Sequence, residues 1–345
     1  MTFTEELKAT AQAMVAPGKG ILAADESFGT ANKRFQKLGI PQTVEMRRAY
    51  REMLFTAPGI GKFLSGAILF DETIRQSTEA GVPFPTVLAE AGIIPGIKLD
   101  AGAKPLAGAP DELVTEGLDG LRDRIAEYYG LGARFAKWRA VITIGNTIPS
   151  RHCIEANADA LARYAALCQE GGLVPIVEPE VLMDGGHAIA RSLAVHHQVL
   201  HAVFDRLYLY GIHLDRIVLK PSMVIAGVDC PQQASVEEVA RATVQCLRDR
   251  VPASVPGCAF LSGGQSDELA TAHLNAMNQQ FKGQLPWTLT FSYGRALQQA
   301  AMQTWMGQEA NVAAAQKVLL HRVQLNSAAA LGEYNPERET AVSHA

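Results

Sequence analysis

The chain has 345 residues, 48% of them hydrophobic and 19% charged, with a net charge of −4. That is enough to bury one large α/β core or two smaller domains, and it supplies no basic excess for nucleic acid or an anionic membrane surface. Five scattered cysteines (Cys153, Cys168, Cys230, Cys246 and Cys258) form no C-x-x-C pair, so reduced, buried thiols of a cytoplasmic protein are expected rather than a disulfide framework.

Residues 1–20 lack the apolar core of a signal peptide. They pattern as an amphipathic helix with Leu7, Ala11, Met14 and Val15 on one face and a capping box from Thr2 to Glu5. Beyond them, short β-rich runs alternate with longer helical patterns. Strands are predicted over 20–25, 66–70, 96–100, 137–144, 173–178, 216–220, 258–261 and 288–291. Helices are predicted over 44–54, 118–129, 156–169, 189–210, 236–250 and 267–279. Eight strand-and-helix units argue for parallel strands closed on themselves, a single (β/α)8 TIM barrel over residues 1–325. An open, doubly wound α/β sheet is the alternative. Against it, no G-x-G-x-x-G follows the first strand and no proline- or glycine-rich linker divides the chain. The helical period fades from about Asn326, so residues 326–345 are expected to form a mobile C-terminal tail. No apolar run is long enough to cross a bilayer.

The charged residues gather where these strands end. Strand one ends in Asp25, strand three carries Lys98, and strand four carries Lys137 and Arg139. Strand five reaches Glu178 and Glu180, strand six ends in Lys220, and Arg295 follows strand eight. Residues two apart share a strand face, so Lys137 lies beside Arg139 and Glu178 beside Glu180. Burying such charges without partners costs on the order of several kcal/mol; at the C-terminal mouth of a barrel they face one another across one site. Each has a plainer reading when taken singly: Lys220 as a solvated strand terminus, Glu178-Pro179-Glu180 as a loop, Asp25-Glu26-Ser27 as a helix N-cap. Their recurrence at one structural position is what points to a site.

Two glycine turns add a second signal. Ser262-Gly263-Gly264 follows strand seven and Tyr293-Gly294-Arg295 follows strand eight. Loops in these places commonly bind phosphate through backbone N–H groups and a helix N-terminus, and Arg295 adds a bidentate charge partner. Lys98 and Arg139, with Ser27 and Thr30 after strand one, make another cationic group. The residues therefore imply a barrel that binds a small molecule carrying two phosphates, with lysines and carboxylates between the two anion sites.

The segments Gly20-Ile-Leu-Ala-Ala-Asp-Glu-Ser27, Phe135-Ala-Lys-Trp-Arg139, Val177-Glu-Pro-Glu180, Leu219-Lys-Pro221, Leu261-Ser-Gly-Gly-Gln-Ser266 and Phe291-Ser-Tyr-Gly-Arg-Ala-Leu297 resemble those of the class I fructose-bisphosphate aldolases, in order and approximate spacing, over almost the whole chain. The resemblance implies reversible cleavage of fructose 1,6-bisphosphate to dihydroxyacetone phosphate and glyceraldehyde 3-phosphate, in glycolysis, gluconeogenesis or a related pathway. It implies no metal or other cofactor, a small-molecule sugar bisphosphate as the binding partner, and a homotetramer in the cytoplasm. Lys220 then corresponds to the imine-forming lysine, whose amine must be neutral to attack a ketone. Glu178 corresponds to the acid/base group that dehydrates the carbinolamine and takes the proton from the fourth-carbon hydroxyl. Asp25 and Lys137 correspond to groups that orient the substrate hydroxyls, with Glu180 as their electrostatic partner. Ser262, Gly263, Gly294 and Arg295 resemble the site of the first-carbon phosphate; Ser27, Thr30, Lys98 and Arg139 resemble that of the sixth. Thr30 replaces a serine and keeps its hydroxyl, and Ser222 stands where many relatives carry asparagine. Animal members end in a tyrosine that speeds enamine protonation. This sequence ends in Ser343-His344-Ala345, and Tyr334 corresponds to an interior family position, so protonation is expected to be slower or to use another group.

Two other readings stay in view. A metal-dependent aldolase needs clustered ligands, and His197 and His201 stand four apart on a helical pattern, a spacing that can bind metal; strand logic places no third ligand beside them. A phosphosugar-binding scaffold on the same fold is the non-enzyme reading, against which stands the pairing of a buried nucleophilic lysine with an acid/base glutamate.

Overall fold

The computed structural model describes residues 3–342. Eight strands close into a parallel barrel: β1 (Gly20–Ala23), β2 (Leu64–Leu69), β3 (Ile94–Lys98), β4 (Phe135–Ile142), β5 (Val174–Val181), β6 (Val218–Leu219), β7 (Gly257–Phe260) and β8 (Thr288–Tyr293). Each strand pairs with its sequence neighbour, and β8 closes the ring on β1 through Ile21 opposite Ser292. This is the predicted barrel. Closure rules out the open sheet.

Period-two alternation sorts the strand side chains. Along β4, Ala136, Trp138, Ala140 and Ile142 point into the layer beneath the helices, where Trp138 packs on Tyr164 of the helix Arg151–Glu170 at 5.4 Å between ring centroids. Phe135, Lys137, Arg139 and Val141 turn into the barrel. Along β5 the inward residues are Val174 and Ile176 below, Glu178 and Glu180 above. The lower barrel is thus apolar and the upper half charged. The Phe135 ring fills the lower layer because β3 offers Gly96 beside it; a Cβ on Gly96 would lie 2.3 Å from that ring.

The N-terminal helix Thr4–Met14 closes the bottom, its Leu7, Ala11 and Met14 joining Ile21, Ile68 and Val174 in one interior cluster. Each leucine or methionine buried this way contributes roughly 1.5–3 kcal/mol. Phe3 takes the N-cap position without a side-chain cap bond; Thr2, the expected capping residue, lies outside the described residues, as do Ser343, His344 and Ala345.

Helix Val236–Arg250 matches its predicted span and opens on a capping box from Ser235 and Glu238. The helix predicted at 156–169 begins earlier, at Arg151, because the Ser150 side chain accepts from the Cys153 N–H at 3.1 Å. That predicted at 118–129 begins later, at Leu121. A hairpin of Ala103–Pro105 with Leu113–Thr115 follows β3, and further helices cover Phe28–Lys37, Phe84–Glu90 and Arg295–Trp305.

The C-terminal expectation needs correction. The helix Val312–Ala330 runs through Asn326, so a boundary at residue 325 falls inside it. Asn326 is fully buried, donating to the Arg322 carbonyl at 2.9 Å and accepting from the Thr271 hydroxyl at 3.0 Å. A polar residue serving buried hydrogen bonds breaks the apolar pattern without breaking the helix. Tyr334 is buried as well. Its hydroxyl donates to Glu339 at 2.7 Å, and Glu339 pairs with Arg322. No described helix is long and apolar enough to cross a membrane.

Candidate active site

The C-terminal mouth of the barrel holds a cleft of about 680 Å³. All thirteen residues to which the resemblance assigns a catalytic or phosphate-binding role line it: Asp25, Ser27, Thr30, Lys98, Lys137, Arg139, Glu178, Glu180, Lys220, Ser262, Gly263, Gly294 and Arg295. Sheet register explains the convergence. Lys98 stands opposite Lys137, Arg139 opposite Glu178 and Val141 opposite Glu180, while Asp25 and Lys220 follow the ends of β1 and β6.

Four of these side chains form one buried chain of charges. Lys220 Nζ lies 3.2 Å from Glu178 Oε1. Lys137 Nζ lies 3.1 Å from Glu178 Oε2 and 2.9 Å from Asp25 Oδ2. Lys220 and Glu178 are each 3% exposed. Burial works against ionising Asp25, yet the charges of Lys137 and Lys220 hold its carboxyl well below the usual carboxylate range. Burial likewise opposes the Lys137 ammonium, but Asp25 and Glu178 hold it well above the usual lysine range. These two groups are thereby fixed as ions. Glu178 Oε2 faces Lys137 without hydrogen-bond alignment, so its second oxygen keeps a lone pair available.

On the β3–β4 side every cation has a carboxylate partner. Lys98 Nζ bonds the Asp100 carboxylate and, at 2.7 Å, the Asp100 carbonyl. Arg139 pairs with Glu180. Glu180 therefore serves Arg139 and not the Asp25–Lys137 pair that the sequence suggested, because a residue further up β5 reaches the guanidinium above Lys137. The Ser27 and Thr30 hydroxyls sit 3.3 Å apart.

The opposite side is built from backbone. Gly263 and Gly264 take φ of 56° and 87°, the left-handed region that glycine enters without steric cost. Gly294 is the N-cap of the helix Arg295–Trp305, whose free amides favour an anion. Arg295 has no hydrogen-bond or ion-pair partner among the described residues.

Sequence reasoning missed Asp100, Glu26 and Arg34, which line the same cleft. Asp100 stood at the end of a predicted strand, two residues from Lys98, and the same spacing rule finds it. Arg34 stands four residues after Thr30, one helical turn along. Burial disfavours the charged form of Glu26, but Arg51 and Arg34, at 2.8 and 2.6 Å, keep its carboxyl below the ordinary range.

His197 and His201 sit on the outer helix Ile189–Leu209 and face different acids, Asp249 at 3.3 Å and Asp205 at 3.5 Å. Among the described residues no group of three or more His, Cys, Asp or Glu is placed to hold a metal ion.

Residues 6–345 match the family model for class I fructose-bisphosphate aldolase. The chain is 62% identical over 331 residues to a probable fructose-bisphosphate aldolase class 1 of Xylella fastidiosa, covering 96% of this chain and 98% of that protein. It is 52% identical over 336 residues to the cytosolic fructose-bisphosphate aldolase 4 of Arabidopsis thaliana, covering 97% and 85% of the two. Among solved structures, the fructose-bisphosphate aldolase of Plasmodium falciparum, in complex with TRAP and a small-molecule inhibitor, superposes with a TM-score of 0.95 at 49% identity and covers 96% of each chain.

Proposed function

The chain belongs to the class I fructose-bisphosphate aldolases, which cleave fructose 1,6-bisphosphate reversibly through a lysine imine, and we propose that Lys220 is that lysine. The observation that carries this is the contact of the buried Lys220 Nζ with Glu178 Oε1 at 3.2 Å on the floor of the cleft. Lys220 passes its ammonium proton to Glu178, the neutral amine attacks the substrate's C2 ketone, and the carbinolamine loses its hydroxyl as water when Glu178 gives that proton back. The protonated imine draws the C3–C4 bonding electrons into an enamine while Glu178 removes the proton from the fourth-carbon hydroxyl. Glyceraldehyde 3-phosphate is thereby released. Protonation of the enamine at C3 and hydrolysis of the imine return Lys220 and release dihydroxyacetone phosphate.

Asp25 and Lys137, locked as ions by each other, serve as a fixed acceptor and a fixed donor for the substrate hydroxyls. Ser262, Gly263, Gly294 and Arg295 hold the first-carbon phosphate; Ser27, Thr30, Lys98 and Arg139 hold the sixth. Class I aldolases need no metal ion for this chemistry. Family membership supports a homotetramer, and a cytoplasmic location agrees with the name of the Arabidopsis relative.

Borohydride reduction in the presence of dihydroxyacetone phosphate, followed by peptide mass mapping, tests the central assignment. A substrate-dependent adduct on Lys220 is expected. An adduct confined to another lysine, or none on folded protein, overturns it.

A further inference from the structure

We propose that Asp100 is a positioning residue that holds Lys98 in the sixth-carbon phosphate subsite and so sets the preference for a bisphosphorylated over a monophosphorylated ketose. The proposal rests on the reading of Lys98 and Arg139 as ligands of that phosphate.

A carboxylate in a phosphate subsite is chemically unwelcome, since the two anions repel. Asp100 lines the cleft beside Lys98, its side chain only 3% exposed, so it is neither a solvated loop residue nor a phosphate ligand. Its hydrogen bonds show what it is for. Oδ1 takes the Lys98 ammonium and the Gly102 N–H, the latter at 3.1 Å; Oδ2 accepts from the Arg139 N–H at 3.3 Å. The Asp100 carbonyl accepts from Lys98 Nζ at 2.7 Å. One residue therefore ties the Lys98 side chain to the backbone of β4 at the other cationic ligand.

An ammonium has three donors. Two point at Asp100, which leaves one for a phosphate oxygen in a set direction. Without that anchor the four-carbon stem of Lys98 is free to rotate and must be ordered by each substrate as it binds. Asparagine cannot substitute. Its amide offers one acceptor and one donor, so either the Lys98 ammonium or the Arg139 N–H would meet a donor.

The test compares kcat/KM for fructose 1,6-bisphosphate with that for fructose 1-phosphate, which lacks the sixth-carbon phosphate. In Asp100→Asn the ratio of the two is expected to fall about tenfold, mainly through KM for the bisphosphate. Lys98→Ala should lower the same ratio, and adding Asp100→Asn to it should lower the ratio no further. An equal loss on both substrates in Asp100→Asn, or a further drop in the double variant, overturns the proposal. If Lys98→Ala shifts the ratio and Asp100→Asn does not, the subsite stands and the role of Asp100 falls. If Lys98→Ala leaves the ratio unchanged, the subsite reading itself fails. Should Asp100→Asn not fold, Asp100→Glu keeps the charge but displaces the oxygens by one methylene; an unchanged ratio there also overturns the proposal.

Discussion

The two ends of the cleft are built from different materials. On the β7–β8 side the donors are backbone amides fixed by glycine dihedrals and a helix start, and Arg295 stands uncommitted beside them. On the β3–β4 side the donors are long cationic side chains, each already shared with a carboxylate: Lys98 with Asp100 and Arg139 with Glu180. The first kind of site is complete before ligand arrives; the second must divide its hydrogen bonds between ligand and partner. The reaction has a matching asymmetry. Dihydroxyacetone phosphate stays bound as the enamine while the aldehyde half departs. On the proposed assignment of the two phosphates, a rigid site suits the half that stays, and a shared one suits the half that leaves.

The rigid side should break most sharply when its backbone is disturbed. Gly264 has φ of 87°, and a Cβ there would lie 3.0 Å from Met183 Sδ and 3.2 Å from an Arg295 guanidinium nitrogen. Gly264→Ala is expected to lower kcat/KM by about 50-fold, through strain and displacement of the loop. Fructose 1,6-bisphosphate and fructose 1-phosphate should suffer equally, since both carry the first-carbon phosphate. A loss confined to the bisphosphate would mean that the two ends have been assigned the wrong way round.

The shared side should give a smaller and more selective effect. Arg139→Ala is expected to lower kcat/KM for fructose 1,6-bisphosphate about tenfold and to cost roughly 1–3 kcal/mol of stability, because Glu180 is left without its cation. Steady-state kinetics with both ketoses and urea titration separate the two effects. Comparable loss on fructose 1-phosphate would place Arg139 among groups common to both substrates and erase the contrast.

How far this arrangement was legible in sequence depended on the range of each interaction. Alternation along the strand predicted over 137–144 puts Lys137 and Arg139 on one face, because strand period is local. The pairing of Arg139 with Glu180 was not legible. Its register neighbour is Glu178, and which of two carboxylates a guanidinium reaches depends on side-chain rotamer. Asp100 was overlooked for a different reason. An aspartate after a lysine at a strand end reads as solvated, and only its contacts with the Gly102 and Arg139 backbone reveal burial. Asn326 misled in the opposite sense, since a buried polar residue imitates the end of an amphipathic pattern.

The smallest expected effect concerns what supports the rigid side from behind. His273 Nδ1 lies 2.6 Å from Gln265 Oε1, and Gln265 donates to the Ser262 carbonyl at 2.9 Å; a neutral ring with its proton on Nδ1 fits this relay, leaving Nε2 buried without a partner. Burial pushes His273 down to about 4 against the opposing charge of Glu237. His196, which contacts the Ser222 hydroxyl at 3.3 Å beside β6, is likewise pushed down to about 4 by burial. Both fold as neutral rings, whereas the unfolded chain binds their protons below its ordinary pKa of about 6.5. Stability is therefore full above pH 6.5 and declines as pH falls toward 4, by about 1 kcal/mol per histidine at pH 5.5. Asp267 acts with the opposite sign. Burial raises it to about 6, so the folded chain takes its proton more readily and recovers part of the loss between pH 6 and 4. Urea titrations at pH 7.5 and 5.5 should show a shallower decline in His273→Asn than in the parent, by about 1 kcal/mol. An unchanged slope would mean that His273 carries a second proton in the folded state, and its buried Nε2–H would then need an acceptor.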